Sequence, residues 1–249
     1  MIRKRKKLSS PQIILLGFGA VILLGSLLLM LPFATRDGRG APLSDALFTA
    51  TSAVCVTGLV VRDTATYWSG FGQGVLLALI QVGGMGVVTF AVLLGLTTGQ
   101  KISLKQRGLM QDAISAHRLG GILRLTGFIL TMTAAFELTG AALLSLVFCR
   151  EFGFWRGLWY GLFHGVSAFC NAGFDLMGVR APYSSLTSFV SHPAVNLVIM
   201  LLIVTGGIGF LTWDDIRTNR LRFRRYRMQT KVVLVTSALL LVLPAAYFF

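Results

Sequence analysis

Residues 46–59 read Ala46-Leu-Phe-Thr-Ala-Thr-Ser-Ala-Val-Cys-Val-Thr-Gly58-Leu59, and a gapless counterpart begins 115 positions later as Gly161-Leu-Phe-His-Gly-Val-Ser-Ala-Phe-Cys-Asn-Ala-Gly173-Phe174. Identical residues at equivalent positions are Leu47, Phe48, Ser52, Ala53, Cys55 and Gly58, which recur as Leu162, Phe163, Ser167, Ala168, Cys170 and Gly173. Self-similarity at a fixed spacing predicts that one structural unit occurs twice in the chain.

Long apolar stretches surround both copies, at residues 13–33, 71–98, 125–149, 189–213 and 232–249. Each is long enough to cross a bilayer, which takes about 20 apolar residues. Glu137 is the only formal charge within them. The copies themselves lie in shorter stretches, 46–61 and 157–174, which are rich in Gly, Ser and Thr.

The composition agrees with a membrane protein. Hydrophobic residues make up 55% of the 249 positions and charged residues 13%, and the mean hydropathy is +0.75. Soluble domains carry about 25% charged residues. We therefore predict an all-α integral membrane protein. The net charge of +14 does not indicate a nucleic-acid partner, because the basic residues flank the apolar stretches. The cysteines and histidines show no metal-ligand spacing.

The short stretches are predicted to be re-entrant, entering and leaving the bilayer on the same side. The N-terminus and the segments 99–124 and 214–231 then share one side, and they hold 17 of the 23 Lys and Arg residues. Positive charge favours the cytoplasmic side. We expect a multi-pass protein of the cytoplasmic membrane with its N-terminus inside.

This topology predicts a repeating unit of spanning helix, re-entrant pore helix with a loop, and spanning helix. The first repeat covers 1–98 and the second 125–213, joined by a basic amphipathic cytoplasmic linker at 99–124. An arginine-rich cytoplasmic linker at 214–231 leads to 232–249, the first spanning helix of an incomplete third repeat. A shared glycine motif, Gly83-Gly-Met-Gly86 and Gly206-Gly-Ile-Gly209, is expected to permit close helix packing.

Irregular backbone at membrane depth is tolerated where it is buried or lines a watery cavity. Carbonyl oxygens of such a loop can replace the hydration shell of a monovalent cation. A glycine allows the required backbone dihedral angles, and Gly58 and Gly173 occupy that position in both copies. The sequence therefore predicts cation coordination by backbone carbonyls, with no covalent cofactor.

Three motifs resemble the filter and inner-helix signatures of the Trk/Ktr/HKT superfamily, in particular the bacterial KtrB/TrkH potassium-translocating subunits. They are Ser52-Ala-Val-Cys-Val-Thr-Gly-Leu-Val60, Gln81-Val-Gly-Gly-Met-Gly86 and Cys170-Asn-Ala-Gly-Phe174. The resemblance implies potassium as the transported substrate. It also implies that backbone carbonyls coordinate the ion at Cys55, Val56, Thr57, Gly58, Cys170, Asn171, Ala172 and Gly173.

Four repeats surround one pore in that family, whereas this sequence holds two and one further helix. We therefore expect either a truncated product or half of a pore whose remainder lies on another chain. The resemblance also implies a homodimer that docks on a cytoplasmic ring of nucleotide-binding regulatory subunits. The basic segments at 100–118 and 217–227 allow three interpretations, namely docking of that ring, contact with anionic lipid, or determination of topology alone.

Four other residues carry hypotheses. Glu137 is an intramembrane acid, and such acids are often functional, but it also suits hydrogen bonding to an adjacent pore helix. Asp63 and Asp175 follow the two copies, where carboxylates concentrate cations at a pore mouth, although ordinary loop solvation is equally compatible. His164 is expected to be a hydrogen-bonded buried histidine.

Two other functions compete with ion transport. A membrane-embedded enzyme needs a nucleophile, base or metal cluster, and the scattered acids and His164 do not form one in the sequence. A non-conducting scaffold that anchors a cytoplasmic partner through the arginines remains an alternative, but it has no use for two filter-like loops.

Overall fold

The computed structural model describes residues 9–86, 122–220 and 222–248, which are α-helical with short 3-10 turns and contain no strand. The helices in these residues are α1 (Ser10–Leu29), α2 (Leu43–Val54), α3 (Gly70–Met85), α4 (Ile122–Phe152), α5 (Phe154–Phe169), α6 (Pro193–Gly207), α7 (Phe210–Asn219) and α8 (Met228–Phe248). The predicted all-α membrane fold is confirmed. The predicted linker at 99–124 lies outside the described residues except for its last three positions, which open α4.

Three described helices are long and apolar enough to cross a membrane: Pro11–Leu29, Arg124–Phe152 and Met228–Tyr247. They coincide with three of the predicted apolar stretches. A fourth predicted stretch, 71–98, begins as α3, and its part from residue 87 onward lies outside the described residues.

Helices α2 and α5 are too short to span a bilayer. They contain 12 and 16 residues, or about 18 and 24 Å at 1.5 Å per residue, against a hydrocarbon core of about 30 Å. Each is followed by a segment without regular structure, at residues 57–60 and 172–175. These are the two copies of the repeated motif.

The apolar stretch 189–213 forms two helices with a bend between them. Helix α6 begins at Pro193, and α7 leaves it at an angle of 90°. The break lies at Gly209, whose φ of +88° is open to glycine and disfavoured for other residues. At the break, the carbonyl oxygen of Thr205 loses its backbone N–H donor. The indole Nε1 of Trp213 donates to this oxygen instead, at 2.9 Å.

The hydrophobic core lies between the two repeats. Its largest fully buried side chains include Trp68 from the first repeat and Phe148, Phe163 and Phe174 from the second. Buried Gln73 on α3 adds a polar link, since it accepts a hydrogen bond from the indole of Trp159 on α5 at 2.8 Å. The shared core packs α3 of the first repeat against α5 of the second.

Candidate functional site: the two filter segments

Both short helices end in the same backbone arrangement. Cys55 and Cys170 are the C-caps of α2 and α5. In the first copy Val56 donates its N–H to the carbonyl oxygen of Ala53 at 3.3 Å, and in the second Asn171 donates to that of Ala168 at 3.1 Å. One residue further on, the N–H of Thr57 donates to the carbonyl oxygen of Ser52 at 2.9 Å, and the N–H of Ala172 donates to that of Ser167 at 2.8 Å. This pair of bonds is a Schellman motif, which ends a helix by satisfying its last carbonyls.

A Schellman motif requires a left-handed residue just past the cap, and here it is not glycine. Val56 has φ +56° and Asn171 has φ +58°. Asparagine tolerates this region, but it is strained for a β-branched valine. This turn was not predictable from the sequence, because valine disfavours the left-handed region. Strained backbone held in place by its surroundings is common at functional sites.

We call residues 55–58 the first filter segment and residues 170–173 the second. Their glycines face each other across the boundary between the repeats. A Cβ on Gly58 would lie 2.8 Å from the carbonyl oxygen of Ala172 and 3.1 Å from the Cα of Gly173. Conversely, a Cβ on Gly173 would lie 3.1 Å from the Cα of Gly58. Both glycines have positive φ, +76° and +72°. Two segments 115 positions apart in the sequence therefore meet at their glycines.

The carbonyl oxygens of all eight filter residues accept no hydrogen bond within the described part of the chain. Except for Ala172, these residues are exposed or partly exposed, so their carbonyl oxygens are open to water or to an ion. The negative ends of two helix dipoles lie at the same place, since α2 and α5 both finish there, and such ends favour cations. Chemically, this arrangement offers neutral oxygen ligands to a monovalent cation.

One serine in each repeat anchors the loop beyond the helix. The hydroxyl of Ser52 is hydrogen-bonded to that of Thr57 at 2.8 Å. In the second repeat Ala172 stands at the position of Thr57. The hydroxyl of Ser167 therefore donates to a different acceptor, the carbonyl oxygen of Phe174, at 2.5 Å. The repeated serine thus holds both loops, but through different partners.

The first glycine of each inner-helix motif packs on a short helix. A Cβ on Gly83 would overlap the carbonyl oxygen of Val54, and one on Gly206 would overlap that of Phe169. Val54 and Phe169 are the last residues of α2 and α5. The expected packing role of these glycines is therefore confirmed, and it brings α3 and α6 against the filter segments.

Glu137 joins three parts of the site. Its side chain is buried in α4 and accepts a hydrogen bond from Nε2 of Gln81 on α3 at 3.0 Å. The thiol of Cys170 in the second filter segment donates to the same carboxylate oxygen, with an S···O distance of 3.7 Å. Of the two hypotheses for Glu137, these contacts favour hydrogen bonding that positions the pore helix. Gln81 belongs to the motif Gln81-Val-Gly-Gly-Met-Gly86, but the sequence alone did not identify it as a hydrogen-bond partner of Glu137.

The two aspartates after the filter segments differ. Asp63 is buried, and its carboxylate accepts four hydrogen bonds, from Ala65 N–H, Thr66 N–H and Oγ1, and Tyr183 N–H, at 2.8 to 3.1 Å. The last bond ties the first repeat to the second. These contacts favour a structural role for Asp63.

Asp175 is half-buried and accepts one hydrogen bond, from the N–H of Met177 at 2.8 Å. It lines a cavity of about 260 Å³ together with Asn171 and Gly173 of the second filter segment. Asp175 lies outside the spanning helices, and burial raises the pKa of its carboxyl, with a further contribution from the charge of Asp63. Of the two aspartates, Asp175 is the one adjacent to the filter.

His164 is buried and hydrogen-bonded, as expected. Its Nε2 accepts from the N–H of Leu176 at 3.3 Å, and its Nδ1 lies 2.7 Å from the carbonyl oxygen of Tyr160. The second contact requires a proton on Nδ1, so the ring is the neutral Nδ1–H tautomer. It fastens α5 to the loop beyond the second filter segment.

Comparisons with known proteins place the chain in a family of cation transport proteins. The family model TrkH, described as "Cation transport protein", matches residues 12–245. The chain is 41% identical over 240 residues to the potassium/sodium uptake protein NtpJ of Enterococcus hirae, covering 96% of this chain and 52% of the relative. It is 43% identical over 236 residues to the Ktr system potassium uptake protein B of Bacillus subtilis, covering 94% and 51%.

A further relative is the Ktr system potassium uptake protein B of Vibrio alginolyticus, 37% identical over 247 residues, with 99% of this chain and 53% of the relative covered. The chain spans about half the length of the curated relatives it matches. Because the family model covers most of the sequence, including both filter segments, the chain belongs to the TrkH family of cation transport proteins.

Proposed function

We propose that this chain forms part of the ion pathway of a potassium-uptake system and coordinates potassium through the backbone carbonyls of the two filter segments. The observation that supports this most directly is that eight carbonyl oxygens without hydrogen bonds flank two glycines in contact. Carbonyl coordination needs no charged side chain, and no charged residue lies in either filter segment. The printed names of the relatives, which are potassium uptake proteins, support potassium as the substrate.

Two filter segments leave the ion open on its remaining sides. The relatives are about twice as long as the matched region, so we propose that further filter segments outside these 249 residues complete the pore, on the same chain or on another. A homodimer and a cytoplasmic nucleotide-binding regulatory ring are proposed as partners on the family resemblance. The exposed arginines between 217 and 227 offer such a ring a basic surface.

The proposed location is the cytoplasmic membrane, with the N-terminus inside. The support is the bias of Lys and Arg toward one side, including the exposed cluster after α7. The filter mouths, Asp63 and Asp175 then face outside.

The proposal is tested by growth of a potassium-uptake-deficient bacterium at limiting potassium. The strain expresses residues 1–249 alone, the C-terminal half of a Ktr system potassium uptake protein B alone, or both. Growth that requires both halves is the expected result. Rescue by residues 1–249 alone would overturn the need for further filter segments. Failure of every combination, with both halves found in the membrane, would overturn conduction and favour the scaffold alternative.

The two aspartates are predicted to respond differently to neutralisation. Asp175→Asn should lower potassium uptake, and more strongly at low ionic strength, because salt screens the attraction of cations to a charged mouth. Asp63→Asn places an amide N–H₂ among hydrogen-bond donors, so it should lower the melting temperature, with an effect on uptake that does not change with salt. The measurement is rubidium uptake by the two-half system at two ionic strengths.

Acidification should mimic Asp175→Asn. Because the pKa of Asp175 is raised, its charge disappears at a higher pH than that of an ordinary carboxyl. The uptake of the unmodified protein should fall toward that of the variant as external pH falls. An Asp175→Asn effect that is the same at both ionic strengths and at every pH would contradict the attraction of cations by this carboxylate.

A further inference from the structure

Two arginines line one cavity at the end of the molecule where α1 finishes and α5 begins. The cavity has a volume of about 480 Å³, and its walls include Arg36 from the first repeat and Arg156, Trp159 and Tyr160 from the second. It shares no residue with the filter segments or with the cavity at Asp175. The proposed conduction mechanism does not use it.

Neither arginine of this cavity forms an ion pair with a residue that the structure describes. In the part of the chain that the structure describes, the ion pairs within 4.0 Å are Arg62 with Asp45 and Arg180 with Glu151. Neither involves Arg36 or Arg156. No acidic residue occurs among the described residues that line the cavity. Arg36, Arg156 and Tyr160 line the same cavity, and both arginines lie within electrostatic range of the Tyr160 phenol. Two like charges in one cavity favour an anion between them.

The wall that carries Arg36 is held in place by hydrogen bonds. The Nε of Arg36 donates to the carbonyl oxygen of Trp68 at 3.3 Å, which orients the guanidinium and leaves its terminal nitrogens for a ligand. Gln73, in the same wall, donates to that carbonyl at 3.2 Å and accepts from the indole of Trp159 at 2.8 Å. A fixed guanidinium binds phosphate oxygens through two parallel hydrogen bonds, better than a lysine does.

Exposed aromatic side chains lie next to the cavity on both sides. Phe71, which follows the lining residue Gly70, forms an edge-to-face pair with Phe33 at 4.8 Å between ring centroids. Trp155, which precedes Arg156, is 80% exposed. Trp and Tyr of membrane proteins concentrate at the level of the lipid headgroups. Trp155 beside the cavity and Trp159 and Tyr160 in its wall therefore favour a position at the depth of the lipid phosphates.

We propose that this cavity binds the phosphate of a glycerophospholipid, held between Arg36 and Arg156. The headgroup it fits is one without an amine, such as phosphatidylglycerol, because the described lining offers no carboxylate to an ammonium. The assignment of this lipid to the outer leaflet rests on the topology given under the proposed function. The binding of the phosphate by the two arginines does not depend on that topology.

The test is native mass spectrometry of the purified chain in detergent, titrated with dioctanoyl phosphatidylglycerol. We expect Arg156→Gln to raise the apparent Kd about tenfold, a change of about 1.4 kcal/mol in binding free energy, and Arg36→Gln/Arg156→Gln to abolish specific binding. Arg39→Gln is the matched control, because Arg39 lies three positions from Arg36 and does not line the cavity. Its Kd should stay within about twofold of the unmodified value.

Arg156→Gln tests the proposal even if the double variant misfolds, since the Arg156 side chain makes no hydrogen bond to the described residues. Equal affinity in the unmodified chain and in Arg156→Gln would overturn the site. Equally strong binding of inorganic phosphate, or displacement of the lipid by it at equal concentration, would assign the cavity to a free anion instead.

Two further probes check the chemistry. Dioctanoylglycerol, which lacks the phosphate, should not bind specifically, and equal binding of dioctanoyl phosphatidylethanolamine would overturn the headgroup preference. Lipid binding requires no ion flux. A Gly58→Ser chain should therefore bind the lipid normally even where uptake is lost, which separates failure of this inference from failure of the proposed function.

Discussion

Replacing Gly58 with serine is expected to reduce potassium uptake by at least about tenfold and to weaken discrimination against sodium. Two costs act together. A residue with a Cβ pays about 1–2 kcal/mol in the left-handed region, where Gly58 has φ +76°. In addition, the new Cβ would lie 2.8 Å from the carbonyl oxygen of Ala172, which is backbone of the second filter segment and must move.

Matched glycine variants separate the two costs. Gly38 has φ +70°, but a Cβ there meets no atom within 4 Å, so Gly38→Ser carries the strain without the displacement. It should lower the melting temperature slightly and leave uptake unchanged. Gly173→Ser meets the Cα of Gly58 at 3.1 Å and should reduce uptake less than Gly58→Ser does.

The measurement is rubidium uptake by the two-half system, with and without excess sodium, normalised to membrane expression. Equal defects in the Gly38 and Gly58 variants would show that strain alone matters, and would count against displacement of the second filter segment.

Replacing Glu137 with alanine is expected to lower uptake at least about tenfold and to reduce the melting temperature. The change removes the acceptor for both Gln81 and the Cys170 thiol. Buried donors without an acceptor each cost about 1–3 kcal/mol. The second filter segment then loses a contact that joins it to α3 and α4.

Glu137→Gln distinguishes positioning from direct action on the ion. The amide keeps an oxygen to accept from Gln81 but carries no charge. If Glu137 positions the filter, Glu137→Gln should keep uptake within about threefold of the unmodified protein, and Gln81→Leu should add little to Glu137→Ala because the two residues share one contact.

Leu138→Ala is the control, since Leu138 is the next residue on α4 and its side chain is exposed. Equal loss of uptake in the Gln and Ala variants at position 137 would reject the positioning role in favour of a required charge.

Much of the site was predictable from the repeat. The identity of Cys55 with Cys170 and of Gly58 with Gly173 was enough to predict two loops at equivalent positions, because glycine at a recurring position has a backbone cause. The short apolar segments around them were predictable as non-spanning from their length and polarity. Both conclusions depend on local sequence, which repeats within the chain.

Other features depend on contacts between distant residues and left no local signal. The 90° break between α6 and α7 lies within the motif Gly206-Gly-Ile-Gly209, which the sequence indicated only as a site of close packing, because glycines in an apolar stretch are also compatible with a straight helix. The sequence allowed either a pore-mouth role or ordinary loop solvation for Asp63, yet a backbone N–H 120 residues away donates to its carboxylate. Of the two partners of Glu137, Gln81 was recognisable only as one of two glutamines in the mainly apolar helix α3.

The contacts between the repeats also set the order in which the protein can mature during synthesis. The first filter segment emerges from the ribosome well before Ala172 and Tyr183, whose backbone atoms pack against Gly58 and bind Asp63. Until the second repeat is inserted, the first lacks these constraints, so it cannot yet hold its loop in the final shape. A nascent chain arrested after the first repeat is therefore expected to lack the final arrangement of this loop.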